Sequence, residues 1–182
     1  MRILVAGSLI PALPLACISM KYTVSIEIAL PREQVAQLLA DPAHVPKWLR
    51  GLVLHEPLNG MHGQVGTKSR VVMQMGQQTM ELTETITRRD PADLHEIPRD
   101  SIVRFDREIV AKGMWNAVRD TLAEAGPETT LWAQENEYRF SGLLMRLGAP
   151  FMRGVFRKQL RQHMQDFKAF AEQGTDVREA TG

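Results

Sequence analysis

The chain has 182 residues, which suits a single domain with a sizeable buried core. Apolar residues make up 44% and charged residues 24% of the chain, proportions that exclude a disordered chain and a bundle of membrane helices. Lys and Arg total 22 against 21 acids, a net charge of +1 that favours neither nucleic acid nor an anionic surface, so we expect no nucleic-acid partner.

Residues 1–19 are apolar after Arg2 and are interrupted by Pro11 and Pro14, so we do not expect them to form a membrane-spanning helix. They fit a secretory signal, with Cys17 in a lipoprotein-like setting, or an upstream extension of a domain that starts at Met20. In both cases we place residues 1–19 outside the fold. An extension predicts a cytoplasmic protein, and a signal predicts export. A single cysteine excludes an intramolecular disulfide and a cysteine-based metal site.

The domain is predicted to start with a strand and two short helices. Residues 21–28 alternate apolar and polar side chains, the period of a half-buried strand. Pro31 suits the first turn of a helix that Asp41-Pro42 ends. A second short helix, residues 43–50, carries Trp48.

Six more strands follow. Their predicted ranges are residues 52–56, 68–75, 79–88, 101–108, 114–122 and 129–140. The short local turns between them indicate an antiparallel meander rather than βαβ units. The glycine-rich turn at residues 59–66 lacks the lysine-serine pair and the following helix of a phosphate-binding loop.

Residues 142–171 have apolar side chains three and four positions apart, which predicts one long amphipathic helix. Gly148-Ala149-Pro150 is expected to bend or break it near its start. Gly174 ends the domain at residues 20–174, and residues 175–182 are predicted to be a loose tail. One helix cannot fill the concave side of such a sheet, so we expect a cavity between them.

Seven segments together resemble a known superfamily. They are MKYTVSIEIALPREQV, PAHVPKWLRGL, GQVGTKSRVV, MELTETITRRD, AKGMWN, ENEYRFSGLL and MQDFKAFAEQG. Over residues 20–174 the chain resembles the START / birch-pollen-allergen (SRPBCC) superfamily, and in particular its bacterial polyketide cyclase/dehydrase-like and lipid-transport-like members. This resemblance implies an α+β helix-grip fold, in which a curved antiparallel sheet wraps a long C-terminal helix and two short helices follow the first strand. It also implies a deep apolar cavity without a shared catalytic machinery, so it does not settle an activity.

The residues expected to line the cavity are large apolar side chains and a few polar ones. In the last strand, Glu135, Glu137 and Arg139 share the outer face, which sends the residues between them inward. The three tryptophans could equally be packing residues. The predicted ligand-binding set is Trp48, Met73, Met75, Leu82, Trp115, Trp132, Asn136, Tyr138, Phe151 and Val155.

Glu84 is the weak catalytic candidate, because it shares an otherwise apolar strand face with Met80, Leu82 and Ile86. An inward carboxylate could hold a ligand hydroxyl or act as an acid/base with a raised pKa. The alternative is a glutamate on the rim, paired with an arginine such as Arg70 or Arg88. The histidines lack metal-binding spacing, so we expect no metal and no cofactor.

Five cations, Arg146, Arg153, Arg157, Lys158 and Arg161, occur on the last helix without an intervening acid. Such a row is typical of a solvated face. The alternative is weak contact with an anionic membrane surface through Arg153, Arg157 and Arg161.

The sequence thus leaves three functions open, and the oligomeric state with them. The first is a carrier or sensor of an apolar small molecule such as a lipid, isoprenoid or aromatic polyketide. The second is a cyclase- or dehydratase-type enzyme that uses Glu84, or Tyr138 and Asn136, to move protons. The third is a protein- or RNA-interaction module.

Overall fold

The computed structural model describes residues 18–98, 100–141 and 143–179, with side chains described except at 18 and 143–151. The elements are β1 (Ile18–Ile28), α1 (Arg32–Ala40), α2 (Val45–Trp48), β2 (Leu52–Pro57), β3 (Lys68–Met75), β4 (Gln78–Asp90), β5 (Val103–Ala111), β6 (Met114–Gly126), β7 (Thr129–Phe140) and α3 (Leu143–Gln173). This order confirms the predicted α+β helix-grip fold. None of the helices among the described residues is both long and apolar enough to cross a membrane.

The seven strands form one antiparallel sheet in the order β1-β7-β6-β5-β4-β3-β2. Strands β2 to β6 each pair with the next strand along the chain, as the meander pattern predicts. The β2–β3 turn contains Gly60, Gly63 and Gly66 with φ of 66°, 76° and 89°. Only glycine adopts this left-handed region without strain, which explains the glycine-rich sequence of the turn.

The alternation along β7 fixes which face of the sheet is concave. Glu135, Glu137 and Arg139 lie on the outer face, where they pair with Lys21, Arg119 and one another. The residues between them are buried or half-buried beneath α3: Thr130, Trp132, Gln134, Asn136, Tyr138 and Phe140. The predicted inward face of this strand is therefore confirmed.

The second half of α3 packs on β1 and β7 to form the core. Phe167 is fully buried and contacts Trp132 and Trp48 edge to face, with ring centroids 5.2 and 5.3 Å apart. Ile28 and Met164 are also fully buried in this cluster. Aromatic pairs in this geometry add to the stabilisation from buried area.

Three differences from the sequence-based prediction concern the two ends of the domain and the last helix. β1 begins at Ile18 rather than after Met20, because β7 extends to Phe140 and offers Ile18 and Ser19 backbone partners. α3 runs unbroken through Gly148-Ala149-Pro150, since a proline removes only one of the hydrogen bonds of a 31-residue helix.

The third difference is the tail. Residues 175–179 are not loose: Val177 is buried, and its N–H donates to the Lys47 carbonyl oxygen at 2.8 Å. The tail therefore packs against α2, while residues 180–182 lie outside the described part of the chain.

Candidate ligand-binding site

A cavity of about 580 Å³ lies between the concave face of the sheet, α2 and α3. Its volume falls in the range of pockets that hold drug-sized ligands. It extends from the β3–β4 turn, at Met75, to the β2–β3 turn, at His62 and Gly63. Most of its wall is aliphatic or aromatic and includes Leu39, Val45, Leu49, Leu52, Val71, Met80, Ile109, Met114 and Phe156.

Eight of the ten predicted ligand-binding residues line this cavity. They are Trp48, Met73, Met75, Leu82, Trp132, Asn136, Tyr138 and Val155. The side chain of Phe151 lies outside the described part of the chain. Trp132 has a double role, because it is only 2% exposed and belongs to the core beneath α3 as well as to the cavity wall.

The prediction for Trp115 is wrong, because this residue lies on the outer face of the sheet. Its register partner is Arg139, whose guanidinium carbon lies 4.4 Å from the centre of the indole ring. Trp115 Nε1 donates to Glu108 at 3.3 Å. The next residue, Asn116, points inward instead. A cation over the ring and a carboxylate at its N–H explain how so large a side chain lies outside the cavity.

Glu84 points into the cavity, and its side chain is only 14% exposed. Its oxygens lie 3.2 Å from His55 Nε2 and 3.4 Å from Arg107 Nε. At this distance the contact between His55 and Glu84 lacks the alignment of a full hydrogen bond. The alternative of a rim glutamate paired with an arginine such as Arg70 or Arg88 is right about the pairing but not about the partner: Glu84 pairs with Arg107 inside the cavity, whereas Arg70 and Arg88 pair with other acids.

The surroundings of Glu84 hold it in the carboxylate form. Burial alone would raise its pKa, but the contact with His55 and the charge of Arg107 lower the pKa below its ordinary value. The expectation of a raised pKa is therefore wrong. His62 lies beside His55, with ring centroids 4.9 Å apart. Burial, and then the charge of His55, lower the pKa of His62, so that its imidazole is neutral near pH 7.

Arg107 is held in place from its far side. Its Nη1 donates to Asp120 Oδ2 at 3.0 Å, and Trp132 Nε1 donates to Asp120 Oδ1 at 2.8 Å. Asp120 is 1% exposed, and burial raises its pKa against the opposing effects of Arg107 and Trp132. The sequence reasoning missed Arg107, although alternation along β5 places it on the same face as Phe105 and Ile109 and could have found it.

Two donors in the cavity wall lack partners in the described part of the chain. They are Trp48 Nε1 and Asn136 Nδ2, and both side chains are more than nine-tenths buried. Asn136 Oδ1 accepts from Asn116 Nδ2 at 3.2 Å, which fixes the orientation of the Asn136 amide. A buried donor without an acceptor is unfavourable, so each of these N–H groups would be stabilised by a ligand acceptor that reached it.

Tyr22 and Tyr138 add hydroxyl groups to the same region. Burial and a hydrogen bond to Tyr138 raise the pKa of Tyr22, and burial also raises the pKa of Tyr138. Both phenols therefore stay protonated. Among the described residues, no group of three or more His, Cys, Asp or Glu side chains is arranged to hold a metal ion.

Comparisons with known proteins agree with this architecture. Residues 19–172 match the family described as polyketide cyclase / dehydrase and lipid transport. An aromatase/cyclase from Streptomyces sp. R1128 superimposes with a TM-score of 0.68 at 14% identity, over 91% of this chain and 99% of that one. A protein from Thermus thermophilus gives 0.67 at 13% identity, over 90% and 100%.

Truncated norcoclaurine synthase from Thalictrum flavum gives a TM-score of 0.64 at 13% identity, over 87% of this chain and 97% of that one. Identities this low show a shared fold and nothing finer. A comparison with curated protein sequences gave no significant match. Because the family match spans most of the chain, including every strand of the sheet, the chain belongs to the polyketide cyclase / dehydrase and lipid transport family.

Proposed function

We propose that the protein carries or senses a mainly apolar small molecule that has a hydrogen-bond-accepting head group. The observation that supports this most strongly is that two donors in the wall of a largely apolar cavity of about 580 Å³, Trp48 Nε1 and Asn136 Nδ2, have no hydrogen-bond partner among the described residues. A carbonyl or ether oxygen would supply the hydrogen-bond acceptor that each of these donors lacks. The aliphatic lining suits the rest of such a molecule.

The energetics favour this ligand class. Burying apolar ligand area contributes about 25 cal/mol per Å², and a buried donor without a partner costs about 1–3 kcal/mol. A ligand with an acceptor therefore gains from both terms, whereas a hydrocarbon gains only from the first. The interaction-module hypothesis predicts a filled interior and has no comparable support.

The proposal is tested with two probes that share an apolar body and differ in the head group, 2-acetylnaphthalene and 2-ethylnaphthalene. We expect the ketone to bind more tightly to the wild type, by about two- to tenfold for one hydrogen bond. Trp48→Phe removes the indole N–H but keeps an aromatic ring against Phe167. It should remove part of the preference for the ketone and leave the affinity for the hydrocarbon nearly unchanged.

Asn136→Leu removes the second donor, while Asn116 Nδ2 keeps the carbonyl oxygens of Ala117 and Glu137 as acceptors. Thermal melts of both variants provide the control for folding. If the wild type binds neither probe, the ligand-binding proposal fails. If it binds both equally, the cavity binds apolar molecules without recognising an acceptor.

A second candidate is an acid–base enzyme, and the polar cluster of His55, His62, Glu84 and Arg107 favours it. A neutral His62 can accept a proton from a carbon next to a ligand carbonyl. The resulting enolate would be stabilised by the positive charge of Arg107, which Glu84 and Asp120 hold in place. An enolate formed in this way is the nucleophile that a cyclisation of aldol type requires. In this scheme Glu84 positions Arg107 and His55 and is not the proton donor.

The same ketone probe separates the two candidates. An enzyme of this type should speed the exchange of the methyl protons of 2-acetylnaphthalene with deuterium from D₂O, which mass spectrometry detects. His62→Gln should then reduce exchange about a hundredfold, the usual contribution of a general base. His95→Gln is the matched control, because His95 is an exposed histidine in the chain between β4 and β5. A pure carrier would bind the ketone and leave the exchange rate unchanged.

A further inference from the structure

The exposed face of α3 has an uncompensated positive charge. Arg153, Arg157, Lys158 and Arg161 are all exposed. No acidic side chain pairs with them among the described residues, although arginines elsewhere in the structure form ion pairs. The next acid along the helix is Asp166, which is buried and bonded to Arg50.

An exposed apolar residue lies within this row of cations. Val155 lies between Arg153 and Arg157 in sequence and is 66% exposed, yet it also lines the cavity. On the sheet side of the same cavity, Met75 is 38% exposed, and the exposed Lys112 contributes to the lining. We call these three residues, Met75, Lys112 and Val155, the cavity rim. The rim therefore places exposed apolar side chains, which are unfavourable in water, next to positive charge.

We propose that the rim and the adjoining basic face of α3 dock on an anionic phospholipid bilayer. Cations beside exposed aliphatic side chains fit the boundary between head groups and acyl chains. Docked in this way, the protein would present the cavity to the membrane. The aliphatic Val155 and Met75 favour a bilayer over a nucleic acid, because proteins that bind single strands place aromatic side chains for base stacking among their cations.

The test is co-sedimentation of the full chain with vesicles of phosphatidylcholine alone and of phosphatidylcholine mixed with phosphatidylserine. We expect binding to the mixed vesicles only, weakening as salt rises, because exposed charges are screened. The triple variant R153Q/R157Q/R161Q should bind roughly a hundredfold more weakly, at about fivefold for each cation near an anionic surface. Val155→Ser should weaken binding without a change in charge.

The matched control is K21Q/R70Q/R139Q, which removes three exposed cations from elsewhere on the sheet surface. It has the same net charge as the α3 variant and should bind the mixed vesicles like the wild type. All variants share residues 1–17, so a difference between them does not come from that segment. Equal loss in both triple variants would overturn the proposal, as would a wild type that ignores anionic vesicles at low salt or binds single-stranded RNA more tightly.

Discussion

Along its strand order the sheet has two halves, which we call its two sides, and they are packed to different extents. On the side of β1, β7 and β6, the second half of α3 closes against the sheet, and Phe167, Trp132, Ile28 and Met164 are fully or almost fully buried. On the side of β2, β3 and β4, the described cluster of buried apolar residues is small, with Val71, Met73 and Leu82 at its centre. Those three residues also line the cavity.

Geometry explains the difference. Seven strands about 4.8 Å apart span about 29 Å, whereas a helix with its side chains is about 10–12 Å wide. One helix therefore covers less than half of the sheet. The side beneath α3 is therefore packed more fully, and the cavity lies where the helix leaves the sheet uncovered, although its lining continues onto β6 and β7 at Asn116, Asn136 and Tyr138.

Removing a core aromatic should have the largest effect on stability. Phe167→Ala is expected to lower the free energy of unfolding by about 3–5 kcal/mol, because it leaves a cavity beneath Trp48 and Trp132. Leu82→Ala, on the uncovered side, should cost about 1–2 kcal/mol, since part of its surface already faces a cavity. Denaturant melts of the two variants measure this contrast. Equal losses would show that the two sides of the sheet contribute alike to stability.

Trp132 lies where the two sides meet. Trp132→Phe keeps a ring against Phe167 but removes the donor to Asp120, so we expect a loss of about 1–3 kcal/mol in unfolding free energy. Probe affinity should change little, because the N–H of Trp132 is already committed to Asp120. A normal melt combined with a large loss of affinity would instead make Trp132 mainly a ligand contact.

The sequence predicted the fold more completely than the site. Alternation along β7 correctly places Asn136 inward, and alternation along β4 does the same for Glu84, because period-two patterns report on one strand alone. The partners of Glu84 could not be predicted, since His55 and Arg107 come from other strands and depend on register. Trp115 shows the converse error: the sequence predicts an inward aromatic residue, although Trp115 lies on the outer face beneath Arg139.

Acid should destabilise the protein through two half-buried histidines. Burial lowers the pKa of both His62 and His163 in the folded state, and for His163 nearby Asp166 opposes this effect while Arg50 adds to it. The unfolded chain therefore takes up protons first, and the free energy of unfolding falls as the pH drops below about 6.5. Glu84, with its lowered pKa, contributes stability that is lost at still lower pH.

His163→Gln measures how much one histidine contributes to the pH dependence of the unfolding free energy. It should reduce the slope of unfolding free energy against pH by at most about 1.4 kcal/mol per pH unit. Denaturant melts at a series of pH values below 7 measure the slope. The same substitution at the exposed His95 serves as the control for replacing a histidine by glutamine. If His163→Gln leaves the slope unchanged, His163 does not contribute to the acid response.

The most direct test of the division between core and cavity compares two neighbouring residues of β5. Ile109 lines the cavity, and Val110 points to the outer face and is exposed. Titration of Ile109→Trp and Val110→Trp with 2-acetylnaphthalene measures whether the cavity is the binding site. We expect Ile109→Trp to fold and to lose affinity by at least about tenfold, because the indole occupies the ligand's space, while Val110→Trp binds like the wild type. Equal affinities in the two variants would contradict the assignment of the cavity as the ligand-binding site.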